Sequence, residues 1–217
     1  AGDALRNRDE ELFKQFYFAL ISHFKPVLSV SRKKDVCFDE FYAFDSTTVS
    51  LFSEVMKGVG RNPKDEGKKK GGLKVHMLTD VHSETAVFAK ISEARMHDKK
   101  FLTHLNPGKG SMLVFDKAYN FYLQFAKWTD EEINFVCRLK ENAKVSVQDV
   151  IFEKKLTEEE FGVYKVEHIH LNYKEDKQPK SLCLRLVYYI DEKGRKYKFI
   201  TNNWDITPEE VALIYKY

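Results

Sequence analysis

Hydrophobic positions near the start of the chain follow first a helical and then an extended period. Leucine and phenylalanine recur at mostly helical spacing over residues 9–24, and Pro26 follows them, so a helix is predicted that ends at the proline. Residues 36–44 are rich in aromatic and branched side chains, which predicts a buried strand ending at Asp45. The first strand therefore presents an acidic residue at its end.

The central part of the chain alternates between strand and helix patterns. Residues 73–79 and 85–92 predict two strands that form a hairpin around Asp80-Val-His-Ser-Glu84. Residues 111–115 predict a short strand that ends at Asp116. This order of elements predicts an α/β fold, a mixed sheet with helices packed on it. The other predicted elements of this part are helix 97–105, helix 119–128 and strand 133–139.

Beyond residue 140 the pattern becomes mostly alternating. Residues 163–173, 182–190 and 196–201 predict strands, and together they indicate a β-rich insertion. Thr207-Pro-Glu-Glu210 then predicts the start of a helix, with Thr207 as the N-cap and Glu210 completing a capping box.

Charge along the chain is uneven. The whole chain has 36 Lys and Arg against 33 Asp and Glu, a surplus of +3 that does not identify a nucleic-acid-binding protein. Residues 57–74, however, contain seven basic and two acidic residues and half of the ten glycines. Lys68, Lys69 and Lys70 in this segment could contact phosphates or could belong to a solvated loop.

The cysteines and the hydropathy place the chain in a reducing, aqueous compartment. The three cysteines, Cys37, Cys137 and Cys183, are far apart and form no C-x-x-C pair, so neither a disulfide framework nor a zinc site is indicated. No run of about 18 apolar residues is present, so no membrane span is predicted. A cytoplasmic location is expected.

Asp45 and Asp116 are candidates for metal-assisted phosphate chemistry. Two divalent metals about 4 Å apart can activate water and stabilise the leaving oxygen of a phosphodiester. Acidic residues at the ends of neighbouring strands point into one crevice, so these two aspartates could share a site. Arg138 and Lys140, which follow a buried strand, could project into that crevice or cover its rim.

Structural roles compete with this interpretation. An aspartate after a strand is commonly a turn residue or a helix N-cap, and Asp80 meets the same positional test at a hairpin tip. Position after a strand therefore does not show which of Asp45, Asp80 and Asp116 are catalytic. His76 is interpreted as a structural residue inside a strand, and the pair His168 and His170 lacks a third ligand.

Five short motifs occur in order along the chain. They are Phe44-Asp-Ser-Thr47, Leu73-Lys-Val-His76, Met96-His-Asp98, Val114-Phe-Asp-Lys-Ala-Tyr119 and Phe135-Val-Cys-Arg-Leu-Lys-Glu-Asn142. Together they resemble the DDE transposases of the insertion-sequence "four" group. Their hallmark is an aspartate before Ser or Thr, then aspartate-x-x-tyrosine, then Y-x-x-R-x-x-x-E-x-x-x-x-x-x-K. The resemblance runs from about residue 36 to the end.

The resemblance implies a fold and a site. The fold would be ribonuclease-H-like, with a β-rich insertion before the helix that carries the catalytic glutamate. Asp45 and Asp116 match the first two catalytic acids and would hold two Mg²⁺ or Mn²⁺ ions. Tyr215 matches the first tyrosine of the last signature, so its arginine and glutamate would fall after Tyr217. Lys117 stands where the family often has arginine.

The implied function is that of a DNA transposase catalytic domain, which hydrolyses phosphodiesters and transfers strands at insertion-sequence ends. Without the glutamate, we expect little or no cleavage by this chain alone, and a non-catalytic DNA-binding or regulatory remnant is the alternative. Arg138, Lys140, Tyr215 and the three lysines would contact DNA.

The implied partners are double-stranded DNA and further copies of the chain, at the bacterial nucleoid in the cytoplasm. The expected division is a helical segment 1–35, a catalytic core 36–140, an insertion 141–203 and the start of the glutamate helix 204–217.

Overall fold

The computed structural model describes residues 10–28, 38–50, 72–94, 96–157 and 160–216. Within these ranges the chain forms a mixed α/β structure in which one large sheet carries a few helices. The sheet order is β3-β2-β1-β4-β5-β9-β8-β7-β6. The strands are β1 Phe41–Ser50, β2 Gly72–Asp80, β3 Thr85–Glu93, β4 Met112–Phe115, β5 Asn134–Arg138, β6 Val145–Glu153, β7 Gly162–Glu175, β8 Gln178–Ile190 and β9 Lys196–Thr201.

Three parallel strands lie at the centre of the sheet. β1 pairs parallel with β4, and β4 pairs parallel with β5, while the outer pairings are antiparallel. The helical elements are α1 Glu10–Leu28, α2 Tyr122–Asp130 and α3 Pro208–Ile214, with 3₁₀ helices η1 Asp98–His104 and η2 Lys117–Tyr119.

The two faces of the sheet bury different side chains. One face, which we call the aromatic face, packs Phe44, Phe115 and Phe135 against residues of η1 and α2. Phe125 of α2 lies 4.6 Å from Phe135 and Phe101 of η1 lies 4.8 Å from Phe44, measured between ring centroids. Because strand side chains alternate between faces, the intervening residues form a second cluster. We call that side the α3 face; it contains Phe41, Met112, Val114, Val136, Phe199, Val211 and Ile214.

Two predictions near the start of the chain were wrong at their ends. The helix continues through Pro26 to Leu28. A proline has φ near −65°, which a helix accepts, but it removes one backbone hydrogen bond and crowds the carbonyl four residues before it. The helix accordingly ends two residues after Pro26. β1 begins at Phe41 and continues past Asp45 to Ser50, because residues Asp45–Ser50 pair with β2. Asp45 therefore lies within a strand and not at its end.

Other elements were predicted in type but not in detail. The helix expected over 97–105 is the 3₁₀ helix η1, and the helix expected over 119–128 begins at Tyr122, after η2. The hairpin at Asp80, the strand before Asp116 and the capping box at Thr207 are confirmed. β6 was not predicted.

The strands of the expected insertion join the same sheet. β9 pairs antiparallel with β5, and β8, β7 and β6 follow it outward. β5 and β9 are therefore the junction between the parallel strands and the β-rich part. No helix in the described ranges is long and apolar enough to cross a membrane.

Candidate active site

Asp45 and Asp116 lie side by side on neighbouring parallel strands. The register of β1 and β4 pairs Phe41 with Met112 and continues to Phe44 with Phe115. Asp45 is the next residue of β1 and Asp116 directly follows β4. Adjacent strands are about 4.8 Å apart. Alternation turns both side chains to the α3 face. The structure thus brings together the two acids that the sequence predicted as a pair.

Both aspartates line one open cleft of about 450 Å³. Its floor is formed by the α3-face side chains of β1 and β2, including Thr47, Val75 and Met77, and Tyr215 closes one side. The Asp45 side chain is exposed, and the Asp116 side chain is 42% exposed. A hydrated cation could therefore reach both carboxylates.

The Asp116 carboxylate is held by three groups. Oδ1 accepts a hydrogen bond from the Ala118 amide at 3.1 Å, which caps η2. Oδ2 accepts a hydrogen bond from the Tyr215 hydroxyl at 3.2 Å, and the Arg138 Nη1 lies 3.6 Å from the same oxygen. Tyr215 and Arg138, both predicted from sequence as site residues, are therefore at the cleft.

Asp45 is held more loosely. Its Oδ1 accepts a hydrogen bond from the Ser46 amide at 2.7 Å. Ser46 itself faces the opposite side of the sheet, where its hydroxyl donates to Asp98 at 3.2 Å. The backbone next to Asp45 is thereby tied to η1.

A buried lysine completes this support on the aromatic face. Lys74 of β2 is 3% exposed, and its Nζ lies 2.7 Å from Asp98 Oδ1 and donates to the Met96 carbonyl at 3.0 Å. Lys74 was counted from sequence in the basic segment 57–74. In the structure it forms an interior ion pair and does not present its charge to solvent.

Two tyrosines near the aspartates keep their protons at neutral pH. Burial raises the pKa of Tyr119 above its usual range, and the negative charges of Asp98, Asp45 and Asp116 raise it further. Burial also raises the pKa of Tyr215, as does the Asp116 charge. Both hydroxyls are therefore neutral hydrogen-bonding groups.

Arg138 and Lys140 approach Asp116 from different sides. The Arg138 guanidinium lies over the Tyr197 ring at 5.2 Å from its centroid. Lys140 lines a second cleft of about 490 Å³ together with Asp116 and Lys117. Asp116 thus lines two openings, and the second also contains Lys140, a basic residue predicted from sequence.

The remaining candidates have structural surroundings or lie outside the described residues. Asp80 accepts hydrogen bonds from the His82 and Ser83 amides at 2.8 and 3.4 Å, as a turn residue does. His76 is fully buried and stacks on Phe101, as expected for a structural residue. Residues 51–71, with Lys68, Lys69 and Lys70, lie outside the described ranges. His168 packs edge-on against Trp204.

The donor set at the cleft fits a hard divalent cation in part. Mg²⁺ prefers oxygen ligands and often keeps several waters beside one or two carboxylates. Asp45 and Asp116 supply such oxygens, with Tyr215 and Ala118 orienting one of them. Among the described residues no group of three His, Cys, Asp or Glu could hold a metal ion. Within the described ranges the site therefore consists of two carboxylates.

Sequence reasoning did not identify Ser46, Lys74, Asp98 and Tyr197 as parts of the site's support. Asp98 belongs to the motif Met96-His-Asp98, but its position at the start of a predicted helix indicated only an N-terminal cap. The alternation of β2 does indicate a buried position for Lys74, because Lys74 lies on the same face as His76 and Leu78, which are both buried. A lysine on the buried face of a strand requires a counterion.

Comparison with known families identifies the class of protein. The sequence model described as the transposase DDE domain matches residues 37–217. The chain belongs to the transposase DDE domain family. Members of this family act on DNA in transposition and generally use divalent metal ions. A search of curated proteins finds no match.

Proposed function

We propose that this chain supplies the catalytic core of an insertion-sequence DNA transposase, with a ribonuclease-H-like fold. Asp45 and Asp116 would be its metal-binding aspartates. One observation carries the proposal: two aspartates stand at aligned positions of neighbouring parallel strands and open into one cleft. The family match supports the reaction class, which is phosphodiester hydrolysis and strand transfer.

Asp45 and Asp116 would hold Mg²⁺ or Mn²⁺, two ions in the complete site. The bound ions would supply charge stabilisation and an activated oxygen nucleophile. The chain's own contribution is to fix the carboxylates: β1 and β4 set their spacing, and Ala118 and Tyr215 orient the Asp116 oxygens. The open cleft leaves room for a phosphate beside them.

Basic residues around Asp116 would bind the DNA backbone. Arg138 pairs with the aspartate at 3.6 Å, and Lys117 and Lys140 line the second cleft together with it. The phosphate contacts of such side chains release counterions, so binding would weaken as salt rises. Lys68, Lys69 and Lys70 are proposed to extend this contact. Further copies of the chain would bring two DNA ends together.

A plasmid assay tests the proposal. Supercoiled plasmid carrying an insertion-sequence end is incubated with the chain in Mn²⁺, and nicking is followed on gels for wild type, Asp45→Asn and Asp116→Asn. Asp149→Asn, an exposed aspartate of β6, is the control. We expect weak nicking by this chain. Metal-dependent nicking above the level of a protein-free sample that both site variants lose and the control retains supports the proposal.

The alternative, a non-catalytic DNA-binding protein, is distinguished by the same variants. It predicts salt-dependent binding to the plasmid that is unchanged in the Asp45→Asn, Asp116→Asn double variant, with no nicking in any sample. Nicking that survives both substitutions would exclude these aspartates as the catalytic acids.

A further inference from the structure

Two groups of different charge share one oxygen of Asp116. The Tyr215 hydroxyl donates to Oδ2 at 3.2 Å, and Arg138 Nη1 lies 3.6 Å from it. The other oxygen, Oδ1, is already engaged by the Ala118 amide at 3.1 Å. Any cation that binds Asp116 must therefore share Oδ2 or Oδ1 with an existing partner.

Aromatic side chains of β9 hold both partners of Oδ2 in place. The Tyr215 ring packs on Phe199 at a centroid distance of 4.7 Å, and Phe199 stacks on Tyr197 at 5.7 Å with an interplanar angle of 8°. Arg138 lies over the Tyr197 ring at 5.2 Å. Tyr215, Phe199, Tyr197 and Arg138 therefore contact one another in sequence. The first and last of them both contact Asp116.

Tyr215 is a neutral hydrogen-bond donor to Asp116, so it does not repel a cation at the same carboxylate. A carboxylate oxygen has two lone pairs, so Oδ2 can accept the hydroxyl hydrogen and still coordinate a cation. Hydrogen bonds to ligating carboxylates fix their orientation, and their loss typically weakens metal binding about 10- to 100-fold. Tyr215 should therefore favour metal binding at Asp116.

Arg138 has the opposite electrostatic effect. Its guanidinium is charged at all accessible pH values, so it repels a divalent cation approaching the same oxygen. The Arg138 side chain is 32% exposed, so salt screens this repulsion in part. The cation–π contact with Tyr197 holds the charge near Asp116.

We propose that Tyr215 and Arg138 are positioning residues with opposite effects on the metal: Tyr215 orients Asp116 for the cation, whereas Arg138 competes with the cation for the same carboxylate. The inference rests on the proposed metal site. It adds a restraint on metal binding, in which the metal and Arg138 each weaken the other's interaction with Asp116. The aromatic residues of β9 hold Arg138 and Tyr215 in place for these effects.

The test is the dissociation constant for Mn²⁺, measured by the electron paramagnetic resonance signal of free Mn²⁺ without DNA. For Tyr215→Phe, which keeps the ring on Phe199, we expect the constant to rise about 10-fold or more. For Arg138→Gln we expect it to fall about 3- to 10-fold at low salt, with the difference shrinking as salt rises. Arg138→Lys keeps the charge and should stay near wild type.

Matched controls exist within the same aromatic group. Tyr189→Phe removes a hydroxyl from the ring next to Phe199. Arg195→Gln removes a guanidinium that lies 5.9 Å from the Tyr197 centroid but pairs with Asp191. Both controls should leave the Mn²⁺ constant within about 2-fold of wild type, because they do not change the partners of Asp116.

Failure of the inference and failure of the metal site give different results. If Asp116→Asn leaves Mn²⁺ binding unchanged, the proposed metal site is wrong. If Asp116→Asn abolishes binding but Tyr215→Phe and Arg138→Gln shift it in the same direction or not at all, the inference is overturned. A purely structural role would weaken binding in both variants together with thermal stability.

Discussion

At the residue scale, the two aspartates differ in how firmly they are held. Asp116 has partners on both carboxylate oxygens, whereas Asp45 accepts one hydrogen bond from the amide that follows it. The Asp45 carboxylate can therefore change its orientation, whereas the orientation of the Asp116 carboxylate is fixed by its partners. The alternation of β1 places the support for Asp45 on the opposite face, where Ser46 bonds to Asp98.

The buried ion pair of Lys74 and Asp98 makes a testable contribution to stability. In Lys74→Met, Asp98 loses its cation but stays 20% exposed and partly hydrated. We therefore expect the free energy of unfolding to fall by about 1–3 kcal/mol, measured by urea denaturation. Lys109→Met breaks an exposed pair with Glu132 and should cost less than about 0.5 kcal/mol. Equal losses in the two variants would contradict this assignment.

His76 should make stability depend on pH. Burial lowers its pKa from the ordinary value of 6.5, although the Asp98 charge opposes this. Above about pH 6.5 the imidazole is neutral in both states and its contribution is complete. Below that value the unfolded state takes up the proton first, so stability falls as pH falls toward the folded pKa.

The measurement for His76 is the melting temperature between pH 5 and pH 8. The fall on acidification should be smaller in His76→Gln than in wild type, whereas the exposed His97→Gln should keep the wild-type slope. An unchanged slope in His76→Gln would show that another group is responsible.

At the element scale, the sequence predicted well where a pattern is local. β4 is a short apolar run that must be buried, and the Thr207 cap is specified by three nearby residues. β1 was misplaced because Thr47, Thr48 and Val49 are exposed and show no hydrophobic alternation. Only their pairing with β2, which begins at Gly72, makes them a strand.

The pairing of Asp45 with Asp116 could be predicted only as a possibility. That β1 and β4 are neighbours in the sheet depends on topology, which the local sequence does not encode. Likewise, the contact of Tyr215 with Asp116 spans 99 positions and depends on α3 packing over the sheet. The motif order identified these residues, but their contacts required the fold.

The capping box of α3 gives a prediction at this scale. The Thr207 hydroxyl accepts from the Glu210 amide at 3.2 Å, and the Glu210 carboxylate accepts from the Thr207 amide. Thr207→Ala should lower the free energy of unfolding by about 1 kcal/mol. Glu209→Ala, an exposed residue of the same turn, should cost about 0.3 kcal/mol through the helix dipole. Chemical denaturation measures both, and equal costs would argue against the cap.

At the scale of the whole molecule, the β-rich part and the parallel strands act as one sheet. Asn202, which follows β9, joins them: its Oδ1 accepts from the Phe135 amide at 2.9 Å, and its Nδ2 donates to Ile133 and Thr129. This side chain holds β9 against β5 and α2. The aromatic residues of β9 that reach Asp116 depend on that junction.

Asn202→Ala should therefore destabilise the whole sheet. It leaves a partly buried amide unpaired and removes three hydrogen bonds, for an expected loss of about 2–3 kcal/mol in urea denaturation. Asn172→Ala removes one exposed bond to Ser146 and should cost less than about 1 kcal/mol. If Asn202→Ala loses no more stability than Asn172→Ala, the junction does not depend on the Asn202 side chain.

The proposed position of the metal is tested most directly by a crystal of the protein grown with Mn²⁺. We predict an anomalous difference peak in contact with the carboxylates of both Asp45 and Asp116, and no such peak in crystals of Asp116→Asn. Manganese bound only elsewhere, with the Asp45 and Asp116 carboxylates free of metal, would contradict it.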